Sequence, residues 1–402
     1  MERLVSKQYT IPFILVTSLF FIWGFARSIL DVLNKHFQEL LSISIGESAL
    51  IQGMTYLGYF LMAIPAGIII TRGSYRKGIV IGLTLFGLGA LMFIPGEHMM
   101  SFSVFLIALF LIGCGLAVIE TSANPYATEL GPAGSAAGRL NLAQAFNGLG
   151  CIVGPVLVGG FLFSGEEAHV SLPYALMGGG VLIFALIFTR INLPEITPEV
   201  NSSTKSKTSI SPGRSIVRLL RNPKFMLGFA ALFFYEIAEI SINSLFINYT
   251  TADSWLDKAE ASSLLSFGAL GIFMVARVAG SLIMGKIHPV TVLVVCAAMA
   301  VVSAIAVTFG SGIVAKSGLF CCYAAEAIMF PTIFALSIKE AGEDVKLGSS
   351  LLMMSPIGGA VGTVIMGSVA DHLSMSLSFI VPAIGYCFVL LYSIHASLNY
   401  KK

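Results

Sequence analysis

The sequence predicts an all-α membrane protein of twelve transmembrane helices in two pseudo-symmetric six-helix halves. Three observations predict it. Of 402 residues, 56% are hydrophobic and only 11% charged, and the mean hydropathy is +0.89, so the chain is built for lipid rather than water. Apolar runs of about 20 residues, the length that crosses a roughly 30 Å hydrocarbon core, recur along the whole chain. Runs such as 79–94 are almost unbroken, which excludes the apolar–polar alternation of a β-barrel.

These runs place the first six helices at about 10–36, 46–71, 78–96, 102–127, 138–164 and 172–191. The next six fall at about 225–250, 260–285, 289–310, 314–338, 346–371 and 374–398. Between the two series lies the longest polar stretch, rich in Ser, Thr, Pro and Lys, which reads as a linker. The expected organisation is an N-terminal half at 1–191, a linker at 192–223 and a C-terminal half at 224–402. The apolar run from Ile11 is too long for a cleavable signal.

Basic residues set the orientation. Eighteen Lys and Arg fall on the side that holds both ends and the linker, against Lys35, Lys258 and Lys316 on the other. Both termini are therefore expected in the cytoplasm, with a bacterial inner membrane as the location. The net charge of +2 gives no electrostatic reason for a nucleic-acid partner. Six cysteines lie in apolar segments and read as reduced, buried small residues.

The halves echo one another. Pro65-Ala66-Gly67 ends helix 2 as Val278-Ala279-Gly280 ends helix 8, Asn124-Pro125 in helix 4 is matched by Phe330-Pro331 in helix 10, and Gly150-x3-Gly154 by Gly358-x3-Gly362. Three matches in register indicate a duplicated six-helix unit, the plan of transporters whose halves rock about a central site.

Ionisable groups cost about 2.5–3.5 kcal/mol each inside hydrocarbon, so each needs a partner, a wet cavity or a function. They are Arg27 and Asp31 in helix 1, Glu120 in helix 4, Glu236 and Glu239 in helix 7, Arg277 in helix 8 and Glu326 in helix 10. All but Arg277 lie on helices 1, 4, 7 and 10, the equivalent members of a three-helix repeat. Arg27 and Asp31, one turn apart, form either an ion pair or a carboxylate site for sugar and proton. Glu120 has no charged neighbour one turn away, so it is expected to hold a proton part of the time, as proton coupling requires. Glu236, Glu239 and Asn243 form a polar stripe with Tyr235 at its edge, suited to sugar hydroxyls or to a plain aqueous face. Glu326 joins that cavity or pairs with Arg277.

Other signals carry no chemistry. Gly148-x-Gly150 lacks the strand and helix of a dinucleotide site, the six histidines make no metal pattern, and neither a P-loop nor a nucleophile motif is present, so no cofactor or enzyme is expected.

The sequence resembles the fucose permease family, the fucose-galactose-glucose:proton symporters of the major facilitator superfamily. The resemblance extends over nearly the whole chain. It is carried by 20–25 (FFIWGF) leading to Asp31 and 34–38 (NKHFQ), by 119–125 (IETSANP), by 139–147 (RLNLAQAFN), and by 330–334 and 348–350. It implies the major facilitator fold, with Asp31 and Glu120 carrying sugar recognition and proton coupling, and Gln144 and Asn147 lining the sugar site. Two departures stand out. Arg27 replaces an uncharged residue and favours ionised Asp31, and Thr71 stands for the usual acid between helices 2 and 3, so closure on that side is expected to rest on other contacts.

The reading is uptake of a monosaccharide, L-fucose first and glucose or galactose next, by alternating access driven by protons, with sodium as the alternative coupling ion. Proton coupling falls to Glu120 and Asp31. Substrate binding falls to Asp31, Asn124, Gln144, Asn147, Tyr235, Glu239, Asn243 and Glu326, with Arg27 as an ion-pair candidate. A drug or metabolite antiporter is the rival class, prompted by the glycines of helix 5, and a non-transporting sugar sensor is weaker still. The expected partners are the sugar and the bilayer, and the protein is expected to be a monomer.

Overall fold

The computed structural model describes residues 5–41, 45–162, 171–191, 193–194, 212–252 and 255–400. The first series of helices is α1 (Thr10–Leu41), α2 (Ile45–Arg72), α3 (Tyr75–Leu91, prolonged by Phe93–His98), α4 (Phe102–Glu129), α5 (Ala136–Leu162) and α6 (Ser171–Arg190). The second is α7 (Pro223–Ala252), α8 (Leu264–Ile283), α9 (Pro289–Phe309), α10 (Gly312–Glu326 and Met329–Lys339), α11 (Val345–Leu352 and Ile357–His372) and α12 (Ile380–Tyr400). Among the described residues, eleven helices are long and apolar enough to cross a membrane. The twelfth, α5, has 27 residues and carries Arg139, Asn141, Gln144 and Asn147 in its first half. Strongly exposed Ile313, Val364, Leu176 and Leu398 mark faces that only lipid can cover.

Helix starts follow local chemistry. The Ser74 side chain accepts from the Lys77 amide at the head of α3, Asp257 and Glu260 form a reciprocal capping box ahead of α8, and Pro289 opens α9 behind His288. Helix α1 runs five residues past the sequence expectation because 34–41 contains neither Gly nor Pro to stop it. The linker also holds an unexpected helix, Pro212–Leu220, that buries Ser215 and Leu219 and ties Arg218 to Asp344 at 2.5 Å. A proline at its first position and a short apolar stripe among arginines suffice for one surface turn or two.

The duplicated glycine spacing does the same work in each half. A Cβ on Gly150 would fall 2.2 Å from the Phe21 carbonyl oxygen, and one on Gly24 would fall 2.0 Å from that of Asn147, so α5 and α1 touch backbone to backbone. In the second half, Gly358 and Gly362 bring α11 equally close to Phe233 and Ile237 of α7. Small residues are what permit such approach in lipid, where no hydrophobic force drives helices together. The helix 5 glycines that suggested an antiporter are thus used in packing. The free cysteines depart from expectation in part: Cys114 and Cys322 are buried, but Cys321 and Cys387 are exposed on outward helix faces.

Helices α10 and α11 are broken rather than continuous. Helix α10 interrupts at 327–328, just ahead of Pro331, and α11 at 353–356, which ends in Pro356. A proline lacks the amide that would bond the carbonyl four residues back, so Pro331 leaves the Ala327 oxygen without its helical partner and Pro125 does the same to Thr121. Those two carbonyls occupy equivalent places in the two halves.

Candidate transport site

Each half contributes one buried polar cluster. In the first, Glu120 is 3% exposed and lies one turn before Asn124 on α4, so both share a face. The Gln144 amide nitrogen donates to Asn124 Oδ1 at 3.1 Å, and Asn147, one turn further along α5, donates to the Phe20 carbonyl of α1 at 3.3 Å. Residues 141, 144 and 147 recur every three positions, which aligns the three amides along one stripe of α5. Arg27 and Asp31 belong to α1, but their side chains lie outside the described residues.

In the second half, Tyr235, Glu236 and Glu239 of α7 are buried. The charges of Glu239, Glu326, Arg277 and Glu236 all reach the Tyr235 hydroxyl, and its ring lies 6.2 Å from that of Phe330 on α10. Asn243, one turn beyond Glu239, has a buried Oδ1 with no hydrogen-bond partner. Glu326 is fully enclosed, and Tyr386 of α12 donates a short hydrogen bond to its Oε2. Of the two alternatives for Glu326, the pairing with Arg277 is not formed. Arg277 instead gives Nε to the proline-freed Ala327 carbonyl at 2.6 Å and Nη1 to the Gln144 carbonyl at 3.3 Å.

Arg277 therefore joins the two clusters across the interface between the halves. Further bonds cross the same interface: Ser349 Oγ to the proline-freed Thr121 carbonyl at 2.9 Å, Asn141 to Thr332 at 3.1 Å, Ser281 to the Gly138 carbonyl at 2.7 Å and Asn124 to the Met353 sulfur at 3.4 Å. All lie within roughly 12 Å of the helix ends on the face that holds both termini, at 1.5 Å per residue. The halves are latched on that face. Closure uses small side chains here: a Cβ on Gly67 would sit 2.4 Å from Ser350 Oγ, while Thr71, which stands for the usual acid, donates within its own helix to the Gly67 carbonyl.

Two substitutions test this latch. Ser349→Ala removes one bond worth about 1 kcal/mol and is expected to shift the population open on the termini face roughly fivefold. Gly67→Val is expected to shift it further by steric collision. Spin-label distances between the termini-side ends of α2 and α11 report both, and unchanged distance distributions would contradict the latch.

Sequence reasoning found Glu120, Asn124, Gln144, Asn147, Tyr235, Glu239 and Asn243 in these two clusters. It missed Tyr386, which sits in an apolar string with no distinguishing neighbour. Ser349 and Asn141 were visible only as parts of longer motifs.

With this geometry in view, comparison with known proteins decides the family. The sequence profile of the Major Facilitator Superfamily matches residues 16–355. The chain belongs to the Major Facilitator Superfamily. It is 33% identical to the L-fucose-proton symporter of Escherichia coli (strain K12), over 96% of this chain and 93% of that one. It is 31% identical to a glucose/galactose transporter of Brucella abortus biovar 1 (strain 9-941), over 98% and 96%. The crystal structure of the superfamily transporter FucP in the outward conformation superposes with a TM-score of 0.85 at 32% identity, covering 97% of this chain and 99% of that one. Within the superfamily the chain thus falls in the fucose permease family, and it is a multi-pass membrane transporter rather than an enzyme.

Proposed function

We propose that the chain takes up a monosaccharide, L-fucose first and glucose or galactose next, together with protons across the bacterial inner membrane. The observation that carries this reading is the burial of Glu120 one turn from Asn124, which accepts from Gln144, with the buried amide of Asn147 one turn further along α5. Amides donate and accept at once, as sugar hydroxyls require, and a buried carboxyl beside them is the group whose charge can report on the proton. The named relatives, a fucose-proton symporter and a glucose/galactose transporter, support sugar as cargo.

With both termini cytoplasmic, as the basic residues argue, the latched face is the inner one and the conformation is outward-facing. Glu120 and Asp31 take a proton from outside. The sugar binds between Asp31, Asn124, Gln144 and Asn147 on one half and Tyr235, Glu239 and Asn243 on the other. Closing the halves over an ionised carboxyl would strip it of water at a cost of several kcal/mol, so the proton and the sugar permit rocking together. The inner latch then parts, and the sugar and proton leave to the cytoplasm. Protons suit a set of buried carboxyls whose charge they cancel, and sodium is the alternative coupling ion that the measurement below separates. The transporter works as a monomer, since each half supplies part of one site.

Adding L-fucose, galactose or glucose to unbuffered proteoliposomes in the absence of a gradient is expected to alkalinise the medium for the transported sugar only. No pH change with any of them, or a change that requires sodium, would overturn the reading.

A further inference from the structure

Glu326 is the most enclosed carboxyl among the described residues, with no exposed surface. Its Oε2 accepts from Tyr386 of α12, and its Oε1 is buried without a hydrogen-bond partner, as is the Tyr323 hydroxyl one turn earlier on α10. Around it stand Glu239 and Tyr235 from α7, Arg277 from α8, and Cys322 on its own helix, while α9, packed on the same segment, brings no charged residue. Among the described residues, the one cation acting on Glu326 is spoken for. Arg277 is 4% exposed, holds the Ala327 and Gln144 carbonyls, and lies 4.3 Å over the Phe273 ring. An ionised carboxylate so enclosed, with one oxygen bare, would be far costlier than the neutral acid.

We propose that Glu326 is a second proton site, loaded while Arg277 bridges the halves and unloaded when the bridge opens and Arg277 turns to it. The move is short. Ala327, whose carbonyl anchors Nε, is the next residue after Glu326, and among the described residues only the Gln144 carbonyl accepts from the guanidinium across the interface. When α5 draws away from α8, that bond is lost and Nη1 is free for the carboxyls whose charges already act on it, Glu239 and Glu326, of which Glu326 adjoins the Ala327 carbonyl that still anchors Nε. Pairing stabilises the carboxylate, so the O–H bond breaks and its proton leaves to water entering from the termini face. On return, Arg277 recaptures Gln144 and Glu326 regains a proton. The bond that couples this step to rocking is one of those that latch the halves.

Two measurements on the full chain test this, and only the second rests on the transport reading. Infrared spectra of detergent-solubilised protein at neutral pH are expected to show a protonated-carboxyl stretch that Glu326→Gln removes and Tyr386→Phe shifts to higher frequency. A spectrum that neither substitution changes overturns the proposal, whether or not any sugar is transported. If Glu326→Gln does not fold, Tyr386→Phe decides by the shift alone. In proteoliposomes, protons moved per sugar, counted with a pH-sensitive dye, are expected to fall by one in Glu326→Gln. An unchanged ratio overturns the proposal, whereas a wild type that moves neither sugar nor proton overturns the transport reading and leaves the infrared test to decide this one.

Discussion

Glu120→Gln is expected to abolish concentrative uptake. One proton moving down 100 mV supplies about 2.3 kcal/mol, enough to hold a roughly 50-fold sugar gradient, but with a permanently neutral side chain at this position the halves rock with sugar whether or not a proton is carried, and that gradient leaks away. Glutamine keeps the size and hydrogen-bonding edges of the side chain, so the patch with Asn124 and Gln144 is left standing. What disappears is the alternation between charged and neutral forms that ties rocking to the proton. Steady-state accumulation of labelled sugar under an imposed gradient measures this, and a variant that concentrates sugar as the wild type does would exclude Glu120 from coupling.

The second large effect concerns folding. Arg139 is completely buried, and its guanidinium donates to the carbonyls of Ala127, Thr128, Gly131 and Pro132 and to Ser135 Oγ. Those carbonyls are the acceptors left over at the end of α4 and in the turn to α5, where no helical amide can reach them. Charge-assisted bonds contribute about 1.5–3 kcal/mol each, so losing two already costs about 3–6 kcal/mol against a total stability of about 5–15 kcal/mol. Arg139→Ala is therefore expected to lose most of the monodisperse peak on size-exclusion chromatography. Arg139→Lys is expected to recover only part of it, because an ammonium cannot span a fork of carbonyls. Wild-type yield and Tm in the alanine variant would contradict this role.

The contrast between these two residues shows what a sequence discloses. Glu120 stood out because a carboxyl in lipid is costly wherever the chain folds, and α4 was legible from its apolar length. The close packing of α5 was legible too, since Gly150-x3-Gly154 and its echo at Gly358 mark helices that approach a neighbour closely, but that the neighbour is α1 was not. The echoed prolines, Pro125 and Pro331, were equally visible, yet their consequence was not. A proline frees a carbonyl, but which donor takes it depends on partners hundreds of residues away or in another helix, Ser349 for Thr121 and Arg277 for Ala327. For the same reason the pairing of Glu326 fell to Tyr386 rather than to Arg277: spacing along one helix says nothing about which neighbour a third helix presents. Arg139 read as one more basic residue at a helix start, because five acceptors in a turn have no signature except the turn itself.

The two halves meet through Gln144 and Arg277, and the account stands on the idea that this interface carries sugar and proton together. The most direct test is uptake of radiolabelled L-fucose, galactose and glucose into proteoliposomes, with and without an inward proton gradient and without sodium. The account predicts that at least one of these sugars accumulates above its external concentration only when the gradient is present. Equal steady-state levels with and without the gradient, for every sugar, would contradict it.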